Sequence, residues 1–169
     1  MENEFPKRKN TRLGKFDYNT TGAYFITICT EDRRQILLNL VGVDVLGDTK
    51  NVELLPCGKI ADKYIKQLNE FYSDVTVDRY VIMPNHIHFI LFVNRNGSPR
   101  TSTPTRQGST VSNFVSTFKR FCNKECGGNI WQRGFYDHII RDQDDYEKIA
   151  KYIYENPIRW QRDELYTDK

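Results

Sequence analysis

Apolar residues recur along this chain in two rhythms, every second residue over short runs and every third or fourth over longer ones. Residues 22–30 (GAYFITICT) are rich in β-branched and aromatic side chains and apolar on both faces, which predicts a strand in the middle of a sheet. Residues 36–46 and 52–55 read as a pair of strands around the turn-forming Gly47-Asp-Thr-Lys-Asn51. A helix is predicted over 58–72, where Ile60, Ala61, Tyr64, Leu68, Phe71 and Tyr72 form a stripe that Lys59, Lys63 and Lys66 largely avoid. Strands over 75–83 and 86–93 follow, joined by a tight turn at Pro84-Asn85, since proline presets φ and asparagine suits a turn position. Phe114, Val115, Phe118, Phe121 and Cys122 mark a second helix over 110–125, with Ser109, Thr110 or Ser112 available as its cap. Residues 130–141 are extended and end in a strand around 138–140. The last helix, over 143–156, carries Tyr146, Ile149, Ala150 and Ile153 behind a cluster of aspartates suited to a helix amino terminus. Strand and helix patterns that alternate with short joins between strands imply an α+β fold. The expected architecture is one domain over 1–169, a largely antiparallel sheet of about five strands packed by three main helices.

Composition narrows the function less than its distribution does. Twenty-five Lys and Arg against 22 Asp and Glu leave a formal charge of +3, too mild to demonstrate nucleic-acid binding. The first fifteen residues, however, hold Lys7, Arg8, Lys9, Arg12 and Lys15 against Glu2 and Glu4, an arm that could lie along phosphates or simply be solvated. A polar stretch over 94–109, with Pro and Gly throughout, carries Arg95, Arg100 and Arg106 and reads as a mobile loop. Lys119 and Arg120 lie off the apolar stripe of the second helix and give it a basic edge. No run approaches the ~20 apolar residues of a membrane span, and the amino terminus lacks a signal peptide's apolar segment, so a cytoplasmic protein is expected. The four cysteines form no CxxC pair. Cys122 and Cys126 fall at i and i+4, and zinc with His138 is conceivable, but small buried hydrophobes are the stronger reading.

Candidate chemistry centres on Met83-Pro-Asn-His-Ile-His-Phe-Ile-Leu-Phe-Val93, which holds two of the three histidines. On a strand His86 and His88 share a face, roughly 6–7 Å apart, while Ile87, Phe89 and Leu91 take the other. Two imidazoles so placed can converge on one metal ion, although a bare His-x-His pair is commonly structural. Near the carboxyl end, Tyr152 and Asn156 lie at i and i+4 of the last helix, at the edge of its apolar stripe, and Tyr154 projects about 160° away from Tyr152. That border allows a side chain to be held by the core and still reach a cleft. His138, on a strand beside Asp137 and Arg141, reads as a packed histidine or as a group supporting a metal or contacting a ligand.

The His-hydrophobic-His string resembles that of the HUH single-strand DNA nucleases, and Pro84-Asn-His-Ile-His88 is similar to the form in the REP-associated tyrosine transposases. The opening from Arg8 through residues 22–30, the tryptophan-bearing stretch before His138-Ile-Ile-Arg141, and Tyr152-Ile-Tyr-Glu-Asn-Pro157 extend the resemblance from the basic arm to Trp160. The resemblance implies a ferredoxin-like HUH fold and a single-tyrosine transposase that nicks and transfers single-stranded DNA. It implies Tyr152 as nucleophile, His86 and His88 as metal ligands, Asn156 as a third ligand or neighbour of the metal, and Mg²⁺ or Mn²⁺ as cofactor. The implied partner is single-stranded or hairpin DNA with palindromic repeats, bound by a monomer or homodimer. Lys7, Arg8, Lys9, Arg12, Arg95, Arg100, Arg106, Lys119, Arg120, Arg133, His138 and Arg141 are the candidate DNA contacts. Two other classes were weighed: a histidine-triad nucleotide enzyme, which would need histidine where Ile90 stands, and a catalytically silent binder of DNA hairpins on the same fold.

Overall fold

The computed structural model describes residues 20–40, 52–94 and 109–167. Four strands make the main sheet: β1 (Gly22–Cys29), β4 (Val75–Ile82), β5 (His86–Val93) and β6 (Tyr136–Ile140), in the order β4-β5-β1-β6 with every pairing antiparallel. Helices α1 (Pro56–Phe71) and α2 (Thr110–Glu125) connect β1 to β4 and β5 to β6, and α3 (Gln143–Glu155) follows β6. This βαββαβ path with β1 inside the sheet is the ferredoxin-like arrangement. The short strands β2 (Leu38–Leu40) and β3 (Val52–Leu54) pair only with each other, so the main sheet has four strands where about five were expected. The reason lies at Leu37: its N–H donates to the Pro84 carbonyl and its own carbonyl accepts from the Leu55 N–H, which pins the chain at the end of the β4–β5 hairpin and turns it away from the sheet.

Both faces of the sheet are covered, which is why β1 and β5 read as apolar on both sides. One face of β1 and β5, with Tyr24, Ile26, Ile28, Ile87, Phe89 and Leu91, packs against Ala61, Ile65 and Leu68 of α1 and Val111, Phe114, Val115 and Phe118 of α2. The opposite face sets Ile90 and Ile140 against Ile153, with Ala23, Phe25, Val81 and Ile149 at the border. His86 and His88 stand on this second, α3-covered face, in step with Ile90. Helix caps follow from the sequence: Ser109 Oγ accepts from the Ser112 N–H, Asp142 accepts from the Asp145 N–H at 2.8 Å, and Pro56 occupies the first turn of α1. Cys29, Cys57, Cys122 and Cys126 are all free thiols. No helix of the described residues is long and apolar enough to cross a membrane.

Gly58 marks the closest approach in the fold. A Cβ there would stand 1.9 Å from the Leu37 carbonyl oxygen, on the segment that also anchors the hairpin turn. Gly58→Ala should therefore destabilise the protein by about 1–3 kcal/mol through overpacking, in spite of a helix-propensity gain of about 1 kcal/mol. Urea denaturation measures this; an unchanged or raised midpoint would show that the two backbones can part without cost.

Candidate metal and tyrosine site

The register of the sheet builds the site. Thr27 of β1 lies directly opposite His88 of β5, and Cys29 opposite His86. The pair Thr27–His88 is closed by a buried 2.8 Å hydrogen bond between Thr27 Oγ1 and His88 Nδ1, leaving His88 Nε2 to point outward. His86 Nδ1 lies 2.8 Å from Asn85 Oδ1, and His86 Nε2 is buried without a hydrogen-bond partner among the described residues. The two rings sit 4.5 Å apart centre to centre, and Phe25 stacks on His88 at 5.1 Å. Burial pushes both imidazoles down, His86 to about 3 with help from the nearby Arg33 cation, and His88 with help from His86 and against the Asp163 carboxylate. Both are therefore neutral near pH 7, the form that ligates metal.

Helix α3 brings Tyr152 to this point because Ile153, buried beside it, locks the helix onto Ile90 and Ile140. The Tyr152 hydroxyl is 3.3 Å from His88 Nε2 and donates to Asp163 Oδ2 at 3.2 Å. Its ring meets Phe25 and His88 edge-on. Burial, then the Asp163 carboxylate, raises the phenol to about 12. Tyr152 is 43% exposed and borders the cleft, whereas Tyr154 is 79% exposed and does not line it. Asn156 is buried; its Nδ2 donates to Asp163 Oδ2 at 2.9 Å, and its Oδ1 has no partner among the described residues.

Asp163 is the residue that sequence reasoning missed. It follows a short 3-10 turn, Trp160–Arg162, and its Oδ1 accepts from the Leu165 N–H. His86, His88 and Asp163 each place a ligand atom within 4.8 Å of the others, the only such group among the described residues; Cys122, Cys126 and His138 do not gather into one. No local pattern around Asp163 marks it as chemical, and only the return of the chain past α3 brings it in.

His88, Tyr152, Asn156 and Asp163 line a cleft of about 800 Å³ together with Arg33, Tyr136, Glu155, Arg159, Arg162 and Glu164, while His86 lies behind His88 and outside the lining. The three arginines were not among the sequence candidates for DNA contact. Of those candidates, Arg133 and Arg141 are exposed, and Arg120 is exposed and stacks over Phe121. Lys119 turns inward, donating to the Gln132 and Gly134 carbonyls at 2.7 and 2.5 Å, and burial lowers its ammonium to about 8. His138 stands on β6 opposite Phe25 and bonds Asp145 through Nε2 at 2.8 Å, away from the cleft. Lys7, Arg8, Lys9, Arg12, Arg95, Arg100 and Arg106 lie outside the described residues.

The donor set suits a divalent cation. Two neutral imidazole nitrogens and a carboxylate mix nitrogen and oxygen ligands, which fits Mn²⁺ well and Mg²⁺ less well. Two buried acceptors, His86 Nε2 and Asn156 Oδ1, face no protein donor among the described residues, an arrangement that burial penalises unless something else satisfies it.

Comparison with known proteins gives the family and the fold. The family described as "Transposase IS200 like" matches residues 18–156. An uncharacterised protein of Haemophilus influenzae is 29% identical over 176 residues, covering 95% of this chain and 94% of its own length. A REP-associated tyrosine transposase of Escherichia coli is 31% identical over 84 residues, 49% of this chain and 44% of its own. Among solved structures, a REP-associated tyrosine transposase bound to a REP hairpin superposes with a TM-score of 0.59 at 22% identity, over 88% of this chain and 74% of the other.

Proposed function

This chain belongs to the IS200-like transposase family, and on that premise we propose that it nicks and transfers single-stranded DNA through a 5′-phosphotyrosine on Tyr152. One observation carries the proposal: residues 64 positions apart, Tyr152 and His88, meet at 3.3 Å in a cleft that three arginines and three carboxylates line, beside two buried acceptors without a partner among the described residues. His86, His88 and Asp163 would hold the cation, with Asn156 Oδ1 beside them. Bound Mn²⁺ or Mg²⁺ would supply Lewis-acid polarisation of the scissile phosphate.

The chain's own residues do the rest. Phe25, His88 and the α3 core hold the phenol ring at one edge of the cleft, so that attack needs little reorientation. The Tyr152 oxygen forms a bond to phosphorus as the bond from phosphorus to O3′ breaks, and the departing O3′ takes up the proton that the phenol gave up, leaving a free 3′-OH. Asp163, already receiving the hydroxyl's hydrogen bond, is the acceptor best placed for its proton. A phenol raised to about 12 is a weak nucleophile until that proton leaves. The ester stores the energy of the broken bond, and a second 3′-OH can reverse the step.

DNA with a single-stranded segment, hairpin DNA included, is the expected partner, since Arg33, Arg159 and Arg162 border the cleft beside Tyr152 and can meet phosphates. Affinity for a fluorescent hairpin oligonucleotide should fall steeply between about 50 and 200 mM salt, and Arg162→Ala should lower the log–log slope by about 0.7. A salt-independent Kd, or no binding at low salt, would remove DNA as the partner.

A further inference from the structure

Asn85 occupies the second position of the hairpin turn, where sequence accounts for it by turn chemistry alone. Its side chain is nevertheless fully buried, and both polar atoms of its amide are engaged. The backbone carbonyl accepts from both the N–H and the hydroxyl of Thr30, at 2.9 and 3.0 Å. The amide Nδ2 donates to the Leu165 carbonyl at 2.8 Å, in the same segment that carries Asp163. The amide Oδ1 faces His86 Nδ1 at 2.8 Å.

These contacts decide two proton positions. A backbone carbonyl can only accept, so the group facing Leu165 must be the NH₂ and the group facing His86 must be the oxygen. An amide oxygen can only accept, so His86 Nδ1 must carry the proton. In a neutral imidazole that leaves Nε2 as a bare lone pair, and Nε2 is the atom buried without a partner among the described residues, in the group with His88 and Asp163. Without such an acceptor an isolated imidazole would be free to place its proton on Nε2, where it would block ligation.

Building on the metal reading above, we propose that Asn85 is a positioning residue of the site: it holds His86 in the Nδ1–H tautomer, keeping Nε2 open for the cation, and ties that ligand to the Asp163 segment through Leu165. The turn residue before the first histidine thus sets the chemical state of the histidine as well as the path of the chain. Supporting residues that orient a metal-bound histidine typically change metal affinity by about 10–100-fold when removed.

The test compares Asn85→Ala, which loses both side-chain contacts, with Asn85→Asp, which is isosteric, keeps the acceptor and loses the donor to Leu165. Long-range ¹H–¹⁵N spectra of the metal-free protein read the tautomer directly, and Mn²⁺ affinity is read by electron paramagnetic resonance. Wild type and Asn85→Asp should show His86 as Nδ1–H and bind Mn²⁺ within a few-fold of each other, while Asn85→Ala shows mixed tautomers and binding weaker by about 10–100-fold. The proposal is overturned if Asn85→Ala folds and keeps both the tautomer and the affinity, or if Asn85→Asp loses the tautomer. The second outcome decides the matter even where the alanine variant fails to fold. Mn²⁺ binding absent from wild type itself would overturn the metal reading, and the positioning role with it, a result distinguishable because the tautomer of His86 would still respond to Asn85→Ala.

Discussion

Tyr152→Phe should abolish covalent capture of DNA while leaving the fold and DNA affinity nearly unchanged. The substitution deletes one oxygen, the atom 3.3 Å from His88 Nε2 and 3.2 Å from Asp163, and keeps the ring contacts with Phe25 and His88. A partly exposed hydroxyl with one carboxylate partner contributes little to stability, so the unfolding midpoint should shift by no more than about 0.5 kcal/mol. Cleavage, by contrast, depends on that oxygen and should fall to background on denaturing gels of labelled hairpin oligonucleotides. Tyr154→Phe is the matching control: Tyr154 is 79% exposed and absent from the cleft lining, so its loss should leave cleavage intact. Adducts surviving Tyr152→Phe but lost in Tyr154→Phe would move the nucleophile by two residues along the helix.

The second large effect concerns the two histidines. His86→Ala and His88→Ala should each eliminate cleavage by weakening cation binding beyond the about 10–100-fold expected for a merely supporting residue. The two should differ in their side effects. His88 is sandwiched by Phe25 and Tyr152 and bonded to Thr27, so removing it also frees the nucleophile's ring and should leave residual activity unrestored by raised Mn²⁺. His86 touches Asn85 and Trp160 but not Tyr152, so raised Mn²⁺ should partly restore its alanine variant. Titration of Mn²⁺ in the cleavage assay checks this; normal cleavage in either variant at low metal would place the cation elsewhere.

What could be read in advance follows from how far apart the contributing residues lie in the chain. Strand and helix positions rest on local periodicity, and those of α2 and of β5 coincide with the patterns of Phe114–Cys122 and of the His-Ile-His run. The shared face of His86 and His88 is a property of any strand, and the common side of Tyr152 and Asn156 of any helix, so both pairs were legible. That the pairs meet on one face of the sheet depends on α3 packing on Ile90 and Ile140, which only the fold decides. Asp163 and Thr27 join the site through chain return and strand register, and neither leaves a local signature. The pairing of residues 38–40 with 52–54 was legible as a hairpin, but apolar alternation identifies a strand and not its sheet, so the count of strands in the main sheet was not. Lys119 read as a phosphate-facing charge since its helix position is polar, yet its stem reaches two loop carbonyls that periodicity cannot see.

The most direct measurement is peptide mapping by mass spectrometry after incubating the protein with hairpin oligonucleotides and Mn²⁺. The account predicts one adduct, a 5′-phosphorylated DNA fragment esterified to Tyr152, formed only with metal present. An adduct on Tyr154 or another residue, or efficient cleavage with no protein adduct at all, would contradict it.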